Sequence, residues 1–450
     1  MSGEMGNGPG EQSEGPSKAK QGQSRAEKRF ETSIAYFERA AKVIPGGIYG
    51  SKSPGFLVPG HFPYYLSHAK GSRIVDVDGN EFIDYLCGYG SQIVGYGNPA
   101  VDEPALAQAR KGDLLNQPHP VMVELAERLI GLVDGMDWAV FVKNGTDATT
   151  LATSIARADT GKQIIIAAEG AYHGAANWCS TNVFPVFTLA EQRDVRYFPY
   201  NDVAALEALF RQHREKIACV ILTPYHHPTY KPQQLPTPEF IATVERLCHS
   251  EGAYFIMDDI RANFRLSMKG SHSFFGAHPD MITMGKALAN GYPLSVLLGT
   301  EGLKKTASSF FITGTYWISA VPMIAAMATL DEMERLGGTE RLAQLGRMLK
   351  EGLESLGREA GFSARISGPP AIPYLTFDED PDLFLNQRFC AAMADRGVFM
   401  HPHHNWFISL AHTEADIAQT LEAAKGAFAQ LRDSRKPVTL HQSFTQGSEH

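Results

Sequence analysis

The chain has 450 residues, 44% of them hydrophobic and 20% charged, with a net charge of −8. That balance suits one large core with a second, smaller one, and it offers no basic stripe for nucleic acid. No apolar run approaches the roughly 18 residues needed to span a bilayer, and the N-terminus lacks the apolar core of a signal peptide, so neither a nucleic acid nor a membrane is expected as a partner.

Residues 1–28 are mostly Gly, Ser, Gln, Glu and Lys. Such a stretch buries too little apolar area to offset its ordering entropy, so a disordered tail is expected there. Two strand patterns follow, "SRIVDVDG" and "EFIDYL". They stand outside the alternating block and are expected to join either the C-terminal region or a subunit contact. From residue 138 the pattern alternates. "WAVFVK" (138–143) reads as a strand and "GTDATTLATSIARADTG" as its following helix; "QIIIAAEG" (163–170) is another strand. "DVAALEALFRQHREK" is helical, and "IACVILTP" (217–224) is a short buried strand. "TPEFIATVERLCHSEG" is a helix with Thr237 as N-cap, Pro238 in its first turn and Gly252 as its stop. "AYFIMDD" (253–259) and "PLSVLLG" (293–299) are further strands. Strands that are apolar along their length, alternating with helices, predict a parallel sheet covered on both faces. Past residue 319 come two long helices (319–337 and 339–360), strand-like "ARISG" and "PYLTF", a helix at 382–396, a strand at "NWFISL" and a helix at 413–432. This is an α+β region of its own, with a loose tail at 436–450.

In open parallel sheets, ligands sit at the carboxyl ends of strands. "WAVFVK" runs into Asn144-Gly145-Thr146 and a helix start. That is either an anion cradle of free amides or an ordinary capped helix. "AYFIMDD" ends in Asp258-Asp259, which need donors if buried and are otherwise a solvated loop start. "GAYHG" (170–174) offers an aromatic between glycines, either a plate for a planar ligand or a loop anchor. Lys286 in "DMITMGKALANGYP" follows an apolar strand; it is either a snorkelling surface lysine or an amine kept for its chemistry. Taken together, a phosphate cradle, a carboxylate, an aromatic plate and a lysine at strand ends fit pyridoxal 5′-phosphate. The lysine forms an imine with its aldehyde, and an acid holds its pyridine nitrogen protonated.

At this point the sequence resembles the class III (subgroup II) aminotransferases, in particular their glutamate-1-semialdehyde aminomutase-like branch. The matching segments run from residue 30 to residue 432. They are "PGGI", "VDVDGNEFIDYLCGYGSQIVGYGNPAV", "KNGTDATTLATSIARADTGK", "GAYHG", "IMDDIRANFR", "MGKALANGYPLSVLLG", "TGTYWISAVPMIAA" and "FISLAHTEADI". The resemblance implies an α/β protein of PLP-dependent fold type I, aspartate aminotransferase-like, with a mostly parallel central sheet in a large domain at 86–320. It implies a smaller α+β domain at 321–435, and a segment at 29–85 joining that domain and a dimer contact. It implies Lys286 as the Schiff-base lysine and proton shuttle, and Asp258 as the partner of the pyridine nitrogen. Asn144, Gly145 and Thr146 would hold the phosphate, Tyr172 would stack on the ring beside His173, and Ile260 would pack on the opposite face. Thr315 would reach the phosphate across a homodimer interface.

The substrate half departs from the family. Thr223-Pro224 stands for the frequent Glu-Pro, and Tyr225, His226, His227 and Pro228 follow. "HPHHNWFIS" replaces a segment that usually carries a glutamate, and Lys52 lies near a frequent arginine position. Lys52, Tyr225, His226, His403 and His404 are therefore the substrate candidates. The clustered histidines either line the substrate entrance or are surface-loop residues; no metal is expected at them. Loss of the polar holders an intramolecular exchange needs leaves amino transfer between an amine or amino-acid donor and a carbonyl acceptor as the first reading. An aminomutase-type isomerase and a lyase or decarboxylase are the alternatives. The five cysteines, Cys87, Cys179, Cys219, Cys248 and Cys390, are scattered without a CxxC pair, which points to a reducing cytoplasm.

Overall fold

The computed structural model describes residues 29–179 and 193–433. The tails expected at 1–28 and 436–450 lie outside the described residues. Three strands come first: β1 (Leu66–Lys70), β2 (Arg73–Asp76) and β3 (Glu81–Asp84). They are followed by β4 (Trp138–Val142), β5 (Ile164–Ala168), β6 (Val195–Phe198), β7 (Ile217–Leu222), β8 (Tyr254–Asp258), β9 (Met281–Met284) and β10 (Ser295–Gly299). The last three are β11 (Ala364–Ser367), β12 (Tyr374–Phe377) and β13 (Val398–Phe399).

The central sheet has the order β4-β10-β9-β8-β7-β5-β6, and this is the mostly parallel α/β sheet of fold type I. Strand β7 shows why it is apolar along its whole length. Val220 and Leu222 pack into the larger core cluster, while Cys219 and Ile221 pack into a second cluster with Ile155, Ile165 and Leu297. Successive side chains face opposite sides of a sheet, and both sides are covered. The Gly145–Thr160 helix supplies Ala152, Ile155 and Ala156 to the second side. The expected cap of the Pro238–Glu251 helix is present, with Phe240 N donating to Thr237 Oγ1 at 3.2 Å and Gly252 in the left-handed region.

Two expectations change. Strand β10 runs antiparallel to both β9 and β4. Only residues 285–294 separate it from β9, and a parallel return needs a crossover of roughly a dozen residues or more. "NWFISL" is no strand, although most of it is buried. Trp406 N donates to Pro373 O, Phe407 N to Tyr85 O, and Ile408 N to Ala371 O. Its partners lie in different segments, so no ladder forms. The first strands make a second sheet, β1-β2-β3-β13, in which β3 pairs parallel with the late strand β13. Strands β11 and β12 form an antiparallel pair. No helix among the described residues is long and apolar enough to cross a membrane.

Candidate active site

The carboxyl ends of β4, β5, β7, β8 and β9 lie on one edge of the sheet, and a cleft of about 330 Å³ opens there. Asn144, Gly145, Thr146, Tyr172, His173, Tyr225, Asp258, Ile260 and Lys286 all line it. Residues distant in sequence meet because parallel strands deliver every following loop to the same side.

Lys286 begins the turn that reverses the chain into β10. Its φ is +46° and that of Asn290 is +44°, a region that non-glycine residues enter only when the surroundings enforce it. Asn290 supplies the enforcement. Its Oδ1 accepts from Val94 N at 3.0 Å, and its Nδ2 donates to Gly95 O at 2.9 Å. Lys286 lines the cleft and is half-buried. Desolvation pushes its pKa down to about 8; the Arg261 charge acts the same way, Asp258 opposes, and Arg265 adds a smaller push. A lysine with a raised neutral fraction near pH 8 is a nucleophile without an added base.

Asp258 is buried, yet it has donors. His173 Nδ1 lies 2.7 Å from its Oδ2, while Ile260 N and Thr283 Oγ1 each donate to its Oδ1 at 3.2 Å. The far nitrogen of His173, Nε2, is buried without a partner. The adjacent Asp259 points the other way, as alternation along a strand end requires. It accepts from Ser271 Oγ at 2.6 Å and Ser271 N at 2.9 Å. Burial pushes its pKa up to about 7 against those hydrogen bonds. The pair therefore splits into one carboxylate for the cleft and one for the fold.

The anion end is the start of the Gly145–Thr160 helix, whose first amides have no intrahelical carbonyl to bond. Asn144 N donates to Asp147 Oδ2 at 2.9 Å, which fixes the turn. A Cβ at Gly145 would stand 3.2 Å from three side-chain atoms of Ile260, and one at Gly285 would stand 3.1 Å from Ile260 Cδ1. Ile260 thus fills the space between the helix turn and the lysine turn. Thr146 Oγ1 accepts from Ala175 N at 3.0 Å, and Gly174, with φ +126°, leaves no room for a Cβ beside it. Tyr172 stands at the rim, 55% exposed. A reactive amine, a donor-held carboxylate, free helix amides and a half-covered aromatic make a donor set that fits pyridoxal phosphate.

The substrate candidates divide. Tyr225 is fully buried at the cleft wall. Lys52, His226, His403 and His404 do not line the cleft among the described residues. Lys52 is exposed, with Nζ 5.7 Å from the centre of the Tyr89 ring. The surface-loop reading of the histidines fails, because none of His226, His227, His401, His403 and His404 is exposed. His226 stacks on Tyr200 at 5.1 Å, and His404 lies 5.1 Å from Tyr89 and 5.8 Å from His227. Desolvation lowers the pKa of His226, His227, His403 and His404, to about 4 for His226. They are neutral imidazoles packed among aromatic rings, and no group of His, Cys, Asp or Glu among the described residues could hold a metal ion. Thr315 is exposed and outside its own chain's cleft.

Sequence reasoning missed Arg261 and Asn405. Arg261 lines the cleft, and its Nη1 donates to Asn405 Oδ1 at 3.3 Å. Its place three residues after the strand-end Asp258 was the available signal. Nothing local marks Asn405, which arrives from the far end of the chain.

Residues 58–428 match the family model for class-III aminotransferases. The aminopentol aminotransferase of Sphingopyxis macrogoltabida is 41% identical over 397 residues, covering 88% of this chain and 94% of that protein. The 3-aminobutyryl-CoA aminotransferase of Cloacimonas acidaminovorans is 35% identical over 405 residues, covering 89% and 97%. Among solved structures, the FumI protein of Sphingopyxis sp. MTA144, in its PLP internal aldimine form, aligns with a TM-score of 0.87 at 40% identity, over 90% of this chain and 97% of that one. Glutamate-1-semialdehyde aminomutases are more distant relatives.

Proposed function

Because the chain belongs to the class-III aminotransferases, and is accordingly a pyridoxal-phosphate-dependent transaminase acting on small molecules, we propose that Lys286 is the residue joined to the cofactor and the carrier of the transferred proton. When bound, the cofactor supplies an aldehyde that accepts the amine and a ring that withdraws electrons from the substrate carbon. The protein residues do the rest. Lys286 Nζ would take a proton from the substrate carbon and return it two atoms away, a 1,3 transfer suited to an amine with its pKa lowered to about 8. Asp258 would hold the ring nitrogen, and His173 orients the carboxylate through the 2.7 Å contact. Gly145 and Thr146 would hold the phosphate, with Asn144 setting their turn, and Ile260 and Tyr172 would bracket the ring.

The single observation that carries this reading is the convergence of Lys286 and Asp258 on one cleft beside a free helix N-terminus. We further propose a homodimer in which the partner subunit's Thr315 completes the phosphate site. Supporting this, Thr315 is exposed in its own chain, next to Tyr316 at 66% and near Phe311 at 93% exposure. The donor class suggested by the relatives' names is an amine carried on an aliphatic chain. Five free, buried cysteines favour a reducing compartment, and we place the protein in the cytoplasm.

Borohydride treatment of the holoenzyme followed by peptide mapping tests the core assignment. The label is expected on Lys286 alone. A label elsewhere, or a Lys286→Ala variant that still exchanges amines with a carbonyl acceptor, would overturn it.

A further inference from the structure

We propose that Asn263 is a positioning residue for the cofactor: its amide holds the turn that sets Ile260 against the ring and the Ile260 N–H against Asp258. The proposal rests on the reading of Ile260 as the packing on one ring face, and it adds the residue that keeps Ile260 there. Asn263 stands outside the cleft lining and is fully buried. Its Nδ2 donates to Asp259 O at 2.8 Å and to Ile260 O at 2.9 Å, and its backbone N donates to Asp259 O at 3.0 Å. Its Oδ1 is buried without a partner. An amide turned the other way would set that oxygen against two carbonyls, so the chemistry fixes which face points at the turn. A leucine of similar size would fill the same space and avoid a buried unpaired oxygen. The amide therefore serves the two carbonyls it meets.

The turn at 259–264 is anchored at both ends. Asp259 N donates to Thr283 O at 2.9 Å, and the Asp259 carboxylate accepts from Ser271 N and Oγ. At the far end Phe264 sits in the left-handed region, with φ +62°, and its carbonyl accepts from Thr339 Oγ1 at 2.9 Å. Between these anchors Ile260 and Arg261 reach the cleft. Both peptide groups of Ile260 are tied: its N–H donates to Asp258 Oδ1 at 3.2 Å, and its carbonyl accepts from Asn263. The side chain has little slack, because a Cβ at Gly145 would stand 3.2 Å from it and one at Gly285 3.1 Å. Releasing the Ile260 carbonyl lets this residue turn in its slot. That moves two contacts together, the apolar face offered to the ring and the donor that steadies Asp258.

The experiment compares wild-type holoenzyme with Asn263→Leu, Asn263→Ser, Ile260→Ala and Thr339→Val. A serine hydroxyl can return one bond to a carbonyl three or four residues back. Thr339→Val loosens the same turn without touching Ile260 or Asp258. Three quantities are read: the circular dichroism that the bound pyridoxal phosphate acquires in its visible band from asymmetric surroundings, the rate of cofactor loss on dialysis, and the thermal midpoint. Asn263→Leu is expected to weaken the visible dichroism and to speed cofactor loss about 10-fold, with Asn263→Ser between it and the wild type. Ile260→Ala should weaken the dichroism as well, and Asn263→Leu added to it should weaken it little further. Thr339→Val should lower the thermal midpoint and leave the dichroism and the loss rate as they are. Unchanged dichroism and retention in Asn263→Leu and Asn263→Ser, beside an altered Ile260→Ala, overturn the role of Asn263 alone. So does a Thr339→Val variant that moves both readouts as far as Asn263→Leu, since general loosening then explains them. An Ile260→Ala variant with unchanged dichroism refutes the ring-face reading of Ile260, and the proposal with it.

Discussion

The strand ends that line the cleft and the histidine cluster behind it are built on different principles. The strand ends carry the charges, Lys286, Asp258 and Arg261 among them. Asp258 accepts from three groups, and Asn290 pins the strained Lys286 turn. Behind Tyr225, which lines the cleft, lie His226, His227, His404 and Asn405, drawn from two remote segments. The titratable groups there are kept neutral by burial among Tyr89, Tyr200 and Tyr374. A charge needed for chemistry has to be held by donors, or desolvation would neutralise it.

The sharpest break of this contrast removes a charge from the strand ends. Lys286→Ala is expected to reduce transamination by about 10⁴-fold or more, while the variant remains folded by circular dichroism. Asp258→Asn is expected to cost about 10²–10⁴-fold. It also has a signed consequence. Asp258 raises the Lys286 pKa against desolvation, so its removal should lower that pKa further below about 8. In the apoprotein the neutral amine is the form that captures an aldehyde. The capture rate of the wild type should rise with pH and level off above about 8, and in Asp258→Asn the plateau should begin at lower pH. An unshifted plateau would disconnect the two residues.

A gentler perturbation tests the packing between the charged groups. Gly145→Ala puts a methyl 3.2 Å from Ile260, tight enough that Ile260 has to shift, at about 1–3 kcal/mol. Weaker retention of pyridoxal phosphate on dialysis is expected, and Gly145→Ala with Ile260→Val should recover most of it. Failure of the double variant to recover would place the fault in the turn's backbone instead of in Ile260.

The smallest effect belongs to the neutral cluster and appears in stability. The folded-state pKa of His226 is lowered to about 4, below the unfolded value near 6.5. As pH falls through 6.5 the unfolded chain binds the proton first, so stability drops from there to about pH 4 and the loss is then complete. Full titration is worth on the order of 3 kcal/mol. The thermal midpoint should fall less steeply with acid in His226→Phe than in the wild type. Equal slopes would mean that His226 is already solvated.

Much of this was legible in the sequence because the decisive signals are local. Strand β7 reads as two-sided from six consecutive apolar residues, and Thr237-Pro238 with Gly252 brackets its helix. Lys286, Asp258, Gly145 and Tyr172 could be proposed for one site because strand ends in a parallel sheet share an edge. Other features were illegible for an equally physical reason. The reversal of β10 depends on the length of its connection, and "NWFISL" looks like a strand but finds its partners in different segments. The burial of the five histidines also escaped the reading. A histidine's composition is the same on a surface loop and in a core, and only the rings packed around it decide which it is.

The amino-acid order by itself determined the alternation of strand and helix, the glycine turns, and which side chains stand where the strands end, since each follows from hydrophobic period and local backbone freedom. Tertiary structure alone decided that Asn405 fixes Arg261, that His173 meets Asp258 across 85 residues, and that a lysine sits dry enough to lose its proton near pH 8. Those are properties of desolvation and of contact between distant segments, and neither exists until the chain has closed on itself.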